Sequence, residues 1–165
     1  MVAIRVVDSS LLIEAERRKV LPALEDHLSS ASRTIAPPRV YEETVTEPKS
    51  VGYFVASATR IEKLYGRSIA IEEPEYSEPL VSKIVDKVRK CIAKKVDKPE
   101  HLVELADLQI VALAVSYAAK GVKVELIFRD KVLKNCLGAI LSPAGISSIR
   151  IVDSSTLVGW LLSQH

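Results

Sequence analysis

The sequence predicts an α/β protein: a three-layer α/β/α fold with a central, mainly parallel sheet covered by helices on both faces. Short β-branched apolar runs alternate with longer stretches of helical period, the pattern of successive β-α units. The chain has 165 residues, 48% hydrophobic and 27% charged, which suits a single folded domain over residues 1–165 with a substantial core. No repeat of solenoid length and no low-complexity segment interrupts it.

Taken in order, residues 3–7 read as a strand leading into a helix over 10–29, with Leu11, Leu12, Ala15, Val20 and Leu24 as its apolar positions. A short strand over 34–36 meets Pro37-Pro38, and the double proline opens a helical turn at 40–43, because proline suits a first helical position. Residues 47–52 read as a loop, followed by a helix to about Tyr65 and a short strand at 68–72. A proline-bounded turn at 74–79 precedes a helix over 80–95. Lys98-Pro99-Glu100 then breaks the pattern before a long apolar helix that runs to Lys120 and ends at Gly121. A strand at 122–128, a helix at 131–137, a strand at 149–152 and a last helix complete the chain.

Composition excludes several classes. A net charge of +2 is too small to argue for nucleic acid by itself. Cys91 and Cys136 are far apart and form no Cys-x-x-Cys pair, so zinc-ribbon and disulfide-framework readings both fail and a reducing cytoplasm fits best. Arg5 and Asp8 interrupt the N-terminal apolar run before it could serve as a signal peptide, and no apolar stretch reaches the length of a membrane span. One asparagine and two glutamines are a scarcity of labile amides of the kind thermophile proteins show. The six glycines form no Walker or dinucleotide-binding pattern, there is no Gly-x-Ser-x-Gly elbow, and His27, His101 and His165 are scattered.

In parallel sheets ligands bind at the carboxyl ends of the strands, so acids there are the place to look. Asp8 directly follows the first strand, within VVDSSLLI; it reads equally as a helix cap and as a ligand. Asp107 lies inside the apolar stretch LVELADLQIVALAV, where an ionised carboxylate is costly unless paired or bound to a cation. No lysine or arginine follows it at helical spacing before Lys120, whereas Glu104 lies on its own side of the helix. Asp130 follows the strand at 122–128, where Arg129 and Lys131 beside it also suit an ordinary turn acid; Glu43 follows the double proline and, with Glu42 beside it, taken alone reads as a solvated helix face. Carboxylates converging on one sheet edge repel one another, and a divalent cation with all-oxygen ligation, Mg²⁺ or Mn²⁺, relieves that repulsion. The chemistry such a site supports is metal-assisted phosphodiester hydrolysis.

With those residues in place the chain resembles the PIN-domain nucleases. The resemblance covers most of the chain. It rests on the strand-Asp-Ser-Ser opening at Asp8, PPRVYEETV with the family glutamate at Glu43, ELADLQIVALAV with its buried-helix aspartate at Asp107, and LIFRDKVLKN with the strand-end aspartate at Asp130. Within the family, EEPEYSEPLVSKIVDKV, ELADLQIVALAV and FRDKVLKNCLGAIL look closest to the endonuclease that matures the 3′ end of small-subunit ribosomal RNA. VapC-type toxin ribonucleases share the same acids.

The resemblance implies a cytoplasmic endoribonuclease in which Asp8, Glu43, Asp107 and Asp130 hold Mg²⁺ or Mn²⁺, with Glu104 and Ser9 as auxiliary groups. Its implied partners are RNA, a second copy of the chain, and a ribosome-assembly protein or an antitoxin. Two positions depart from the family: Phe128 stands where a threonine or serine is usual, and Arg129 where a second acid is often found. They open a second reading, a non-catalytic PIN-fold module that binds RNA or protein. The chain also carries no zinc ribbon of the kind the ribosomal-maturation enzyme has.

For RNA, the helix over 80–95 offers a row of Lys83, Lys87, Lys90 and Lys94 opposite its apolar stripe, and Arg129 and Lys131 flank Asp130. Such a row is equally a solvated helix face. Aromatics make up 5% of residues, so base stacking would contribute little. The opening motif nearly repeats as IVDSSTLV at 151–158. The first copy reads as a metal ligand whose serines help cap the next helix. In the second, Asp153 reads as the cap of the last helix, on an edge strand that the resemblance places away from the acids.

Overall fold

The computed structural model describes residues 3–30 and 33–164; His165, one of the three scattered histidines, lies outside them. Its centre is a five-stranded sheet in the order β3-β2-β1-β4-β5, every neighbouring pair parallel. The strands are β1 (Ile4–Val7), β2 (Arg33–Ala36), β3 (Ala70–Ile71), β4 (Val124–Phe128) and β5 (Ile149–Asp153). All residues of β1 and β4 are buried, as expected where helices cover both faces of a parallel sheet. One face carries α1 (Ser9–Arg17), α2 (Leu21–Ser29) and α9 (Ser154–Ser163). The other carries α6 (Pro79–Val96), α7 (Leu105–Ala119) and α8 (Lys131–Ile140), with α7 packed between the sheet and α6. That position explains why α7 is apolar almost all round, from Ala106 to Ser116.

Three segments differ from the sequence expectation. The helix expected over 10–29 is two helices, because Lys19 adopts a left-handed φ of 60° and Pro22 sits in the first turn of α2. The expected loop at 47–52 is helical. Here α3 (Pro38–Tyr41) widens into a π-helical segment, Glu42–Thr46, and returns to α-helix as α4 (Glu47–Val51). Pro48 falls where the α-helix restarts, so its missing N–H costs little, and Gly52 closes the helix at φ 77°. A further helix, α5 (Val55–Glu62), follows. The strand expected at 68–72 shortens to Ala70–Ile71, the edge of the sheet.

The cysteines are the clearest correction. Cys91 of α6 and Cys136 of α8 form a disulfide, with Cα atoms 5.9 Å apart across a separation of 45 residues. Chain spacing says nothing about which helices become neighbours, and here α6 and α8 pack together. The bond removes the cysteine-based ground for a reducing compartment. Among the described residues no helix is long and apolar enough to cross a membrane.

The core includes one buried ion pair. Arg5 and Glu125 are register partners on β1 and β4; Arg5 Nε donates to Glu125 Oε1 at 3.0 Å, and its Nη1 donates to the His27 carbonyl at 3.1 Å. These bonds let an arginine occupy the middle of a sheet that excludes water.

Candidate functional site

Because every strand is parallel, all carboxyl ends emerge on one side of the sheet. An open cleft of about 830 Å³ lies there, lined by Asp8, Ser9, Ser10, Glu43, Glu104, Ala106, Asp107, Arg129, Asp130, Lys131, Asp153 and Ser155. Asp8 directly follows β1. It is 9% exposed, and burial is the main force pushing its carboxyl above the ordinary aspartate range, against hydrogen bonding from Ser9 and Ser10 and with a smaller push from Asp130. Its Oδ2 accepts a hydrogen bond from Ser10 Oγ at 3.1 Å. Asp8 stands at the start of α1, yet its side chain makes no cap bond.

The serines of the first motif therefore serve acids rather than the helix end. Ser9 Oγ donates to Glu43 Oε1 at 3.1 Å, and Arg39 Nη2 lies 3.8 Å from Glu43 Oε2. Glu43 sits in the π-helical segment, a local widening that is frequent at functional sites. Burial raises its pKa, against Ser9 and Arg39 and with repulsion from Asp8 and Glu104.

Asp107 occupies the first turn of α7, where the helix meets the cleft. Its carboxyl is pushed up to about 7, first by burial and then by the charges of Asp8, Asp130, Glu104 and Glu43. Glu104 is exposed at the position before α7. Asp130 and Asp153 end the line differently. Each caps a helix: Asp130 Oδ1 accepts from the Val132 and Leu133 amides at 2.8 and 3.1 Å, and Asp153 Oδ1 from the Thr156 amide at 2.9 Å.

The sequence reading of Asp153 was half correct: it caps α9 as expected, but it also lines the cleft. β5 pairs directly with β4, so the edge strand delivers its terminal acid to the same side. Ser10, expected to help cap α1, instead bonds Asp8, and Ser155 and the buried Ser154 carry no expectation from the sequence. The signal available was the repeated Asp-Ser-Ser after a strand, since two parallel strands ending alike must present those residues to one sheet edge. Of the cations, Arg129 and Lys131 line the cleft. Lys83, Lys87, Lys90 and Lys94 are exposed on α6 outside it, and Lys90 pairs with Asp86 at 3.0 Å.

The donors fit a hard divalent cation, being all oxygen, anionic and mutually repelling. Their spacing is that of an open cleft. Among the described residues no group of three or more His, Cys, Asp and Glu side chains is drawn to coordination distance. The same carboxylates nevertheless repel one another, adding to the burial that chiefly raises Asp107. The two observations agree physically: repelling carboxylates face one space and turn to other partners, Glu43 to Ser9 and Arg39, Asp130 and Asp153 to helix amides.

A family model described as Halobacterial PIN domain matches residues 1–165. No curated protein matches the chain. Among solved structures, VapBC-1 from nontypeable Haemophilus influenzae is similar at 15% identity with a TM-score of 0.59, covering 92% of this chain and 98% of that one. VapBC2 from Rickettsia felis, bound to a DNA fragment from their promoter, is similar at 10% identity and a TM-score of 0.52, covering 91% and 98%. At these identities the likeness is one of fold.

Proposed function

The chain belongs to the PIN-domain family, and from that premise we propose that it is a metal-dependent endoribonuclease. The observation that carries the proposal is Asp107: an acid raised to about 7 by burial and by four other carboxylates around one cleft is a group waiting for a cation. In this reading residues 1–165 act as one domain, and Asp8, Glu43, Asp107 and Asp130 hold Mg²⁺ or Mn²⁺. A cation held there would supply an activated water and would offset charge on a phosphate.

The chain's own groups do the rest. Ser9 and Ser10 orient Glu43 and Asp8 by hydrogen bonds. Asp130, which lines the cleft, is fixed through one carboxylate oxygen by two amides at the start of α8, which leaves its other oxygen for a ligand. Arg129 and Lys131 supply positive charge where the phosphate backbone would enter, and Glu104 can accept a proton at the mouth. The lysine row on α6 lies apart from the cleft and would serve a longer RNA by contacting phosphates beyond the cleaved bond.

Labelled single-stranded RNA incubated with the protein and Mn²⁺, beside Asp8→Asn and Asp107→Asn, tests the proposal. Cleavage by the unaltered chain should fall at least about a hundredfold in each variant, the scale of losing a charged group that acts on the transition state. Equal cleavage by all three would sink the four-acid site. Arg129 favours a second reading, a non-catalytic module, because a cation in the cleft competes for the carboxylates. RNA binding without cleavage would select it.

The finer proposal is ribosomal RNA processing, resting on the resemblance of the segments 72–88, 104–115 and 128–141, with a homodimer and a ribosome-assembly partner. The VapBC likenesses support a rival, a toxin ribonuclease with an antitoxin partner. That rival predicts growth arrest on expression, relieved by a small neighbouring gene.

A further inference from the structure

The second Asp-Ser-Ser copy reaches the first through its middle residue. Ser154 is fully buried at the start of α9. Its Oγ lies 3.2 Å from Ser10 Oγ, and Ser10 Oγ lies 3.1 Å from Asp8 Oδ2. The direction of this chain follows from the groups. An ionised carboxylate only accepts, so Ser10 gives its proton to Asp8, and the Ser10 oxygen is left to accept from Ser154. Ser10 is the hydrogen-bond partner of the Ser154 hydroxyl, and a buried hydroxyl without one is costly. The neighbouring serine does something else: Ser155 Oγ donates to Glu14 Oε2 at 2.9 Å, on the body of α1. The two motifs thus divide their work, with Ser155 tying α9 to α1 and Ser154 aimed at the acid.

We propose that Ser154 is a positioning residue for the acidic site, fixing the Asp8 carboxylate through Ser10. The inference rests on the four-acid reading above and extends it to the edge strand. A hydroxyl held by a second, buried hydroxyl has fewer rotamers open to it, so the bond from Ser10 narrows the orientations of the Asp8 carboxylate before any cation arrives. Without Ser154, Ser10 can rotate away from Asp8, and the carboxylate must be oriented at the moment of binding. The loss therefore falls on cation affinity.

The test titrates Mn²⁺ alone into the full chain by calorimetry, with Ser154→Ala, Ser154→Cys, Ser10→Ala, the Ser10→Ala/Ser154→Ala double variant and Asp8→Asn. Thermal melts of each check the fold. Ser154→Ala should weaken Mn²⁺ about tenfold, the usual scale for a residue behind a ligand, and should shift the Mn²⁺ requirement of RNA cleavage by the same factor. Ser154→Cys keeps the shape of the side chain with a slightly larger atom and a weaker donor, and should fall between; it decides the matter if the alanine variant does not fold. The double variant should lose no more than Ser10→Ala alone, because Ser154 acts through Ser10. Unchanged Mn²⁺ affinity in folded Ser154→Ala or Ser154→Cys, or additive losses, would overturn the positioning role. Loss in Asp8→Asn with none in the Ser154 variants defeats this inference alone, whereas unchanged binding in Asp8→Asn defeats the four-acid reading and this inference with it.

Discussion

Asp107 is where the sequence was most informative and where pH should act. An aspartate in an unfolded chain titrates at its ordinary value of 3.8, and the folded one is pushed up to about 7. The folded state therefore binds the extra proton between those values, and stability present below the unfolded pKa is lost as pH rises through the folded one. For the chelated protein this amounts to about 4 kcal/mol at most between pH 4 and 8. A thermal melt in chelator should show the midpoint falling across that window, and Asp107→Asn should flatten the slope and be the more stable at pH 8. A slope unchanged by Asp107→Asn would mean that other groups carry it. Asp107 was legible because an acid in a largely apolar helix with no basic residue at helical spacing has few explanations. Arg5 was not: in sequence it reads only as a charge breaking an apolar run, since its partner Glu125 is 120 residues away. Glu125→Ala leaves a buried guanidinium with backbone carbonyls alone, and should cost about 3–5 kcal/mol in urea unfolding.

At the scale of elements, the sequence showed what proline, glycine and periodicity mark, and missed what depends on neighbours. α6 and the strands β1 and β4 fell close to expectation because their burial patterns are unambiguous. The helical run from Pro38 to Val51 was obscured by Pro48, which reads as a breaker unless the π-helical segment before it is known. The left-handed turn at Lys19 gave no signal, because nothing about a lysine asks for positive φ. The α6–α8 disulfide was equally invisible. It closes a loop of 45 residues and ties α8, whose capping acid Asp130 borders the cleft, to the outer helical layer. Cross-linking a loop of that size constrains the unfolded chain by about 3–4 kcal/mol. Reduction should therefore lower the thermal midpoint by several degrees, and Cys91→Ala/Cys136→Ala should abolish the response to reductant. A midpoint indifferent to reductant would show that the cysteines are not bonded in solution.

For the molecule as a whole, topology converts a nearly balanced charge into a local excess. The chain carries only +2 overall, yet parallel pairing throughout the sheet sends the ends of β1, β4 and β5 to one side. Strand order turns at β1, whose neighbours are β2 and β4, so Asp8 stands at the switch between the two halves of the sheet. Gathering Asp8, Glu43, Glu104, Asp107, Asp130 and Asp153 around one cleft works against folding. Whatever cancels that repulsion must stabilise the whole fold. A cation that binds the native state alone adds about 2.7 kcal/mol at a hundredfold excess over its dissociation constant. For a chain of this size that is roughly 5–10 °C in thermal midpoint. Mn²⁺ or Mg²⁺ should produce such a shift at pH 8 and a smaller one at pH 5.5, because a protonated carboxyl is a poor ligand. Asp8→Asn should lose most of it, while Ca²⁺ at the same concentration reports how strictly the cleft demands a small ion. If the unaltered chain melts at the same temperature with and without Mn²⁺ at pH 8, the acids do not share a cation, and their convergence needs another cause.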